Sequence, residues 1–135
     1  MTTWVPGKQT ILLAEDTDEI RHLLADALGK NGYRVLEAGD GVEALNISDS
    51  YAGSIDILIT DVTMPRLSGL DLIRDLKPRR PGTRVLAISG WTDAVLDPGI
   101  PFLQKPFTPA TLLWKIDEIV AEGTSTALPT EAYLP

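Results

Sequence analysis

At 135 residues, 44% hydrophobic and 23% charged, the chain is one domain's worth of sequence, long enough to bury an apolar core without staples. It has no apolar run of the roughly 18 residues that span a bilayer, no secretory signal in its start MTTWVPGKQT, and no cysteine, which fits a reducing, cytoplasmic location. The net charge of −7 argues against direct nucleic-acid binding, which needs a basic face to meet phosphates.

Short β-rich runs alternate with helical patterns. Residues 1–8 show no period and read as a tail. Thr10–Ala14 (TILLA) is the first strand and runs directly into Glu15-Asp16. A helix follows with Ile20, Leu24, Ala27 and Leu28 on one face, His22 and Leu23 outward, and Gly29 as its end. Tyr33–Glu37 (YRVLE) is the second strand. Asp40, with Glu43 three residues on, caps a second helix through Val42, Leu45 and Asn46. Ile55–Thr60 (IDILIT) is the third strand; it drives into Asp61 and the loop VTMPRLSG. Ser68-Gly69 opens a third helix with Leu70, Ile73 and Leu76 inward, stopping before Pro78.

The cluster Lys77-Pro78-Arg79-Arg80 reads as a solvated loop after that helix, with a phosphate-backbone contact as the competing reading. Arg84–Ser89 (RVLAIS) and Ile100–Gln104 (IPFLQ) are the fourth and fifth strands. Only GWTDAVLDPGI joins them, whereas a crossover that includes a helix needs at least about 10–12 residues, and Pro98-Gly99 breaks this one. The helix between these strands is therefore expected to be absent or about one turn around Thr92–Leu96. Trp91 either shields the neighbouring site from water or plugs the space such a helix would fill. Thr108-Pro109 opens the last helix, an N-cap followed by proline at the first helical position. Its core face is Leu112, Ile116 and Ile119; Trp114 falls about 200° around from Leu112, as a partner anchor or lying flat on its neighbours. Residues 122–135 read as a second tail, leaving 9–121 as the domain.

Continuous aliphatic strands separated by helices describe a doubly wound α/β domain, a five-stranded parallel sheet with helices on both faces. In such folds the chemistry lies beyond the carboxyl ends of the strands. There the sequence places Glu15 and Asp16, then Asp61, Ser89 and Lys105. Carboxylates packed together repel, so they need raised pKa values or a cation. All-oxygen ligands on an open rim favour Mg²⁺. A carboxylate beside it can attack a phosphoryl group, which makes Asp61 the nucleophile, Lys105 the balancing cation and Ser89 a hydrogen-bond donor.

The set ILLAED, ILITDVTMPRLSG, VLAISG and FLQKPF, in order on successive strands, resembles the receiver domain of bacterial response regulators, the CheY-like superfamily. ILITDVTMPRLSG with FLQKPFTP resembles receivers of hybrid sensor histidine kinases in particular. The likeness covers roughly Lys8 to Ala121 and implies a flavodoxin-like strand order of 2-1-3-4-5. It implies that Asp61 takes phosphate from a phosphohistidine on a sensor histidine kinase or phosphotransfer protein. Asp16 and Asp61 would bind Mg²⁺, with Glu15 through water and the backbone carbonyl of Thr63 as a further ligand. Ser89 and Phe102 would be the switch pair, Lys105 would pair with the phosphoryl oxygens, and the bond to Pro106 would be cis. Met64-Pro65 and Gly69 would shape the loop after Asp61, Gly69 through its backbone freedom. His22 and Leu23 lie where a kinase would dock, and Trp114 where a homodimer could form by a non-standard interface, since the usual one uses the missing helix. The alternatives are a scaffold receiver that works without phosphorylation, and a phosphatase with an aspartate nucleophile. Such phosphatases carry an acid/base aspartate two positions on, where this chain has Thr63. The chain is either a stand-alone receiver or one cut from a longer protein.

Overall fold

A computed structural model describes residues 9–90 and 99–124. In chain order these form β1 (Thr10–Ala14), α1 (Asp18–Lys30), β2 (Arg34–Ala38), α2 (Gly41–Ser50), β3 (Ile57–Asp61), α3 (Gly69–Leu76), β4 (Arg84–Ser89), β5 (Phe102–Gln104) and α4 (Pro109–Thr124). All four strand pairs are parallel, in the order β2-β1-β3-β4-β5.

Both faces of the sheet are covered, which is why its strands read as unbroken aliphatic runs. Ile11, Leu13, Ile57, Ile59, Leu86 and Ile88 point to one side and pack against Leu24 and Leu28 of α1 and Leu112, Ile116 and Ile119 of α4. Leu12, Ala14, Leu58 and Val85 point to the other and meet Ala44 of α2 and Leu72, Ile73 and Leu76 of α3. Each fully buried Leu or Ile contributes roughly 1.5–3 kcal/mol of burial. The two cores therefore fix strand register, because a one-residue slip would exchange them.

The helix ends follow the expected chemistry with some shifts. Asp40 caps α2 by accepting from the Glu43 N–H at 2.8 Å, and Glu43 reaches back to the Gly39 N–H. Ser68 caps α3 through the Asp71 N–H at 3.1 Å, and Thr108 caps α4 through the Thr111 N–H at 3.1 Å. α1 does not stop at Gly29 but continues to Lys30. The residue its terminating turn needs in the left-handed region is Gly32, with φ of 93°. Ile20 is not a core residue; it sits at the exposed start of α1 with 37% of its surface accessible. In α2 the fully buried face is Gly41, Ala44 and Ser48, small residues that let the helix lie close to its neighbours, while Leu45 is only partly buried. A Cβ on Gly41 would stand 2.6 Å from the Leu67 carbonyl.

Gly69 also differs from expectation in its reason. Its φ is not in the left-handed region, so backbone freedom is not what it supplies. Its missing side chain is what lets α3 begin against the end of β3. α4 runs to Thr124, three residues past the expected end of the domain. Among the described residues no helix lies between β4 and β5; the expected turn around Thr92–Leu96, Trp91 and both tails beyond 8 and 124 fall outside the described residues. No helix of the described residues is long and apolar enough to cross a membrane.

Candidate functional site

Parallel strands bring their carboxyl ends to one rim. Glu15 and Asp16 follow β1, Asp61 ends β3, Ser89 ends β4 and Lys105 follows β5. The main chain there is pinned: Glu15 N–H donates to the Ala38 carbonyl at 3.0 Å, and Lys105 N–H donates to the Ser89 carbonyl at 2.8 Å. The Lys105–Pro106 bond is cis.

The side chains meet over these anchors. The Lys105 ammonium lies 3.0 Å from one Asp61 carboxylate oxygen and 3.3 Å from Glu15 Oε1. Glu15 and Asp61 are buried, at 2% and 6% exposure, and Ser89 is buried beside them. Asp16 is exposed. Asp16, Thr17, Asp61, Thr63, Ser89, Gly90 and Lys105 line one cleft of about 260 Å³.

The two buried acids are pushed in opposite directions. Burial, reinforced by facing Glu15, raises Asp61 to about 7 despite the pull of Lys105. Burial also acts against ionised Glu15, but the Thr17 N–H on its Oε2 at 3.0 Å, its contact with Asp61 and the Lys105 charge hold it below the ordinary carboxylate range. Burial disfavours the Lys105 charge too, yet Asp61 and Glu15 more than offset this and raise its pKa. Without a further cation the cleft holds more acid than Lys105 neutralises.

One ligand oxygen each from Glu15, Asp16 and Asp61 lies within 4.8 Å of the others. A set of hard oxygen donors, two buried and one open to water, fits a hydrated divalent cation such as Mg²⁺. Thr63, expected to lend its carbonyl, lines the same cleft. The other candidates lie around it. Phe102 is half-buried at the start of β5, opposite Ala87 of β4. His22 and Leu23 are exposed on the outer face of α1, with His22 Nε2 3.6 Å from Glu37, and Trp114 is 63% exposed on α4.

Four arginines carry roles that the sequence reading did not assign. Arg21 donates to the Glu15 carbonyl at 2.9 Å and to Asp18 at 2.8 Å; the Asp18–Arg21 spacing of an i,i+3 ion pair was the available signal. Arg66, in the left-handed region at φ 69°, forks onto both Asp40 oxygens at 3.0 Å and so ties the β3–α3 loop to the cap of α2. In the Lys77–Arg80 cluster, Lys77, Pro78 and Arg79 are exposed, as a solvated loop would be, but the two arginines are tied to α2. Arg79 pairs with Asp49 at 2.7 Å, and Arg80 binds Ser48 and the carbonyls of Ser48, Tyr51 and Gly53 at the end of α2.

Comparison with known proteins gives a consistent picture. Residues 11–117 match the family profile of the response regulator receiver domain. The sensor kinase CckA of Brucella abortus is 36% identical over 124 residues, covering 87% of this chain and 13% of that protein. This chain thus spans a small part of that relative's length. A crystal structure of the receiver domain from the hybrid histidine kinase CckA superimposes with a TM-score of 0.72 at 39% identity, covering 81% of this chain and 96% of that one. The response regulator TrrA of Thermotoga maritima, solved in complex with Mg²⁺ and BeF, gives a TM-score of 0.73 at 26% identity, covering 82% of this chain and 98% of that one.

Proposed function

The chain belongs to the response regulator receiver domain family of two-component systems, and on that footing we propose that Asp61 accepts a phosphoryl group from a phosphohistidine and thereby controls a partner. The donor would be a sensor histidine kinase or a phosphotransfer protein, in the cytoplasm. The observation that carries this reading is the Lys105 ammonium 3.0 Å from Asp61 and 3.3 Å from Glu15, with Asp16 open to water beside them.

In the transfer an Asp61 carboxylate oxygen attacks phosphorus, the P–N bond breaks, and the leaving imidazole nitrogen takes up a proton. Lys105 favours the ionised nucleophile before the reaction and pairs with phosphoryl oxygen after it. Ser89, buried at the end of the adjacent strand and lining the same cleft, would donate its hydroxyl to another of those oxygens. Burial keeps these charges in a low-dielectric setting, where each counts for more than in water. Asp16 and Asp61, with Glu15 through water and the Thr63 carbonyl, would hold Mg²⁺, which supplies charge neutralisation to the transferred group. A movement of Ser89 toward the phosphoryl group would change the space beside β4 and β5, and half-buried Phe102, paired with Ala87, would respond. The protein is thus a phosphoacceptor that assists its own phosphorylation, not a metabolic enzyme.

Incubation with Mg²⁺ and a small acyl phosphate, read by intact-mass spectrometry, tests the proposal. A gain of one phosphoryl group in the wild type, lost in Asp61→Asn, is expected. The absence of an adduct from either that donor or a phosphorylated kinase overturns it.

A further inference from the structure

We propose that Arg21 is a positioning residue for the divalent-cation site, acting through the main chain of Glu15 and never touching the cation. The inference rests on the reading of Glu15, Asp16 and Asp61 as that site. Arginine is ordinarily exposed, yet the Arg21 side chain is only 12% exposed. Its Nη1 donates to the Glu15 carbonyl at 2.9 Å, its Nη2 to Asp18 at 2.8 Å, and its Nε lies 3.4 Å from Glu37 on β2. Two carboxylates therefore aim the guanidinium, and the guanidinium holds one peptide plane.

That plane is the one joining Glu15 to Asp16. The preceding N–H, that of Glu15, is bonded to Ala38 at 3.0 Å, and the following one, that of Thr17, to Glu15 Oε2 at 3.0 Å. The Arg21 backbone N–H closes the turn by donating to the Thr17 carbonyl at 2.9 Å. Asp16 makes no hydrogen bond or ion pair with any described residue, so among the described residues this main chain alone sets the direction of its carboxylate. Arg21 is the one side chain among the described residues that donates to the Glu15 carbonyl.

Charge and geometry make opposite demands, and this decides the test. A guanidinium near a cation site repels the cation, so through space alone its removal would tighten binding. As a clamp on the Glu15–Asp16 peptide, its removal loosens two of three ligands. Groups that orient metal ligands from behind typically contribute 10–100-fold in affinity.

Calorimetric titration of MgCl₂ into the whole chain, at a temperature where circular dichroism shows each variant folded, separates the cases. Arg21→Gln and Arg21→Lys should each weaken Mg²⁺ binding about tenfold, the lysine because it keeps the charge and loses the fork. Glu37→Gln, which removes one of the groups aiming the guanidinium, should weaken it by a smaller factor and carries the test if neither Arg21 variant folds. Tighter binding in Arg21→Gln with wild-type binding in Arg21→Lys overturns the proposal in favour of charge alone. Unchanged affinity in all three overturns it in favour of a purely structural arginine. A wild type that takes up no Mg²⁺ overturns the metal site itself, and the proposal with it.

Discussion

A Cβ placed on Gly69 would stand 1.8 Å from the carbonyl oxygen of Asp61, and the Gly69 N–H donates to the Val62 carbonyl at 2.8 Å. The first turn of α3 thus rests on the backbone at Asp61 itself. The three nearest atoms, Asp61 O, Asp61 C and Val62 Cα, are all main chain, so no side chain can yield. Gly69→Ala should cost about 3 kcal/mol or more, as overpacking against rigid atoms does. Urea unfolding measures the loss. A variant within about 0.5 kcal/mol of wild type would show that α3 can lift away from β3 at little cost.

The raised pKa of Asp61 predicts an unusual pH profile for the metal-free protein. Unfolded, Asp61 ionises near the ordinary aspartate value of about 3.9; folded, it ionises at about 7. Below both values it contributes nothing to pH dependence. Between them the folded state binds the extra proton, so stability falls as pH rises through this window. Glu15 works the other way, but its lowered pKa places its effect at more acid pH. In chelator, Asp61→Asn should flatten the profile from pH 5 to 7 and be more stable at pH 8 by on the order of 1–3 kcal/mol. Urea midpoints across that range check it; parallel profiles for the two proteins would contradict it.

Lys105 has a divided role. Its ammonium, 3.0 Å from Asp61, takes up charge that a cation would otherwise neutralise. Lys105→Ala should therefore bind Mg²⁺ more tightly, by about tenfold, yet react with an acyl phosphate about a hundredfold more slowly. Calorimetry and a mass-spectrometric time course give the two numbers. A variant weakened in both would mean that Lys105 chiefly supports the cleft's structure.

Arg80 makes four hydrogen bonds to the end of α2, at 2.7 to 2.9 Å, one of them to the buried Ser48 hydroxyl. Arg80→Ala should cost about 2–4 kcal/mol, and Arg80→Lys should recover less than half of that because an ammonium cannot span the fork. Neighbouring Lys77, exposed at the end of α3, should tolerate alanine within about 0.5 kcal/mol. Thermal unfolding ranks the three. Mg²⁺ affinity should not change in any of them, since the end of α2 lies away from the acidic rim.

Much of this arrangement was legible in the chain because its signals are local. TILLA and RVLAIS occupy β1 and β4 with the expected limits, since each is an aliphatic run with a polar stop. The second strand starts one residue late because Tyr33 is taken by the turn that ends α1, its N–H bonded to the Leu28 carbonyl. Glu15, Asp61, Ser89 and Lys105 were visible as polar endings of apolar runs, and a parallel sheet brings such endings together. What could not be read was the set of arginines whose partners are main-chain carbonyls or side chains distant in sequence. Arg80 reaches back to Ser48 and Gly53, Arg66 to Asp40, and Arg21 to a carbonyl that no residue type announces. The reason for a glycine at position 69 is not legible either, because a forbidden contact with Asp61 leaves no trace in the one-dimensional pattern.

The ties at the two ends of α2 have a mechanical consequence. Arg66 fastens its start to the loop before α3, and Arg79 with Arg80 fasten its end to the segment after α3. The two helices are thereby tied to each other at both ends, which resists the sliding of one past the other. A displacement of Asp61 would then meet more resistance on that side of the sheet than along β4 toward β5, the shortest strand, which is held by three pairs on one edge only.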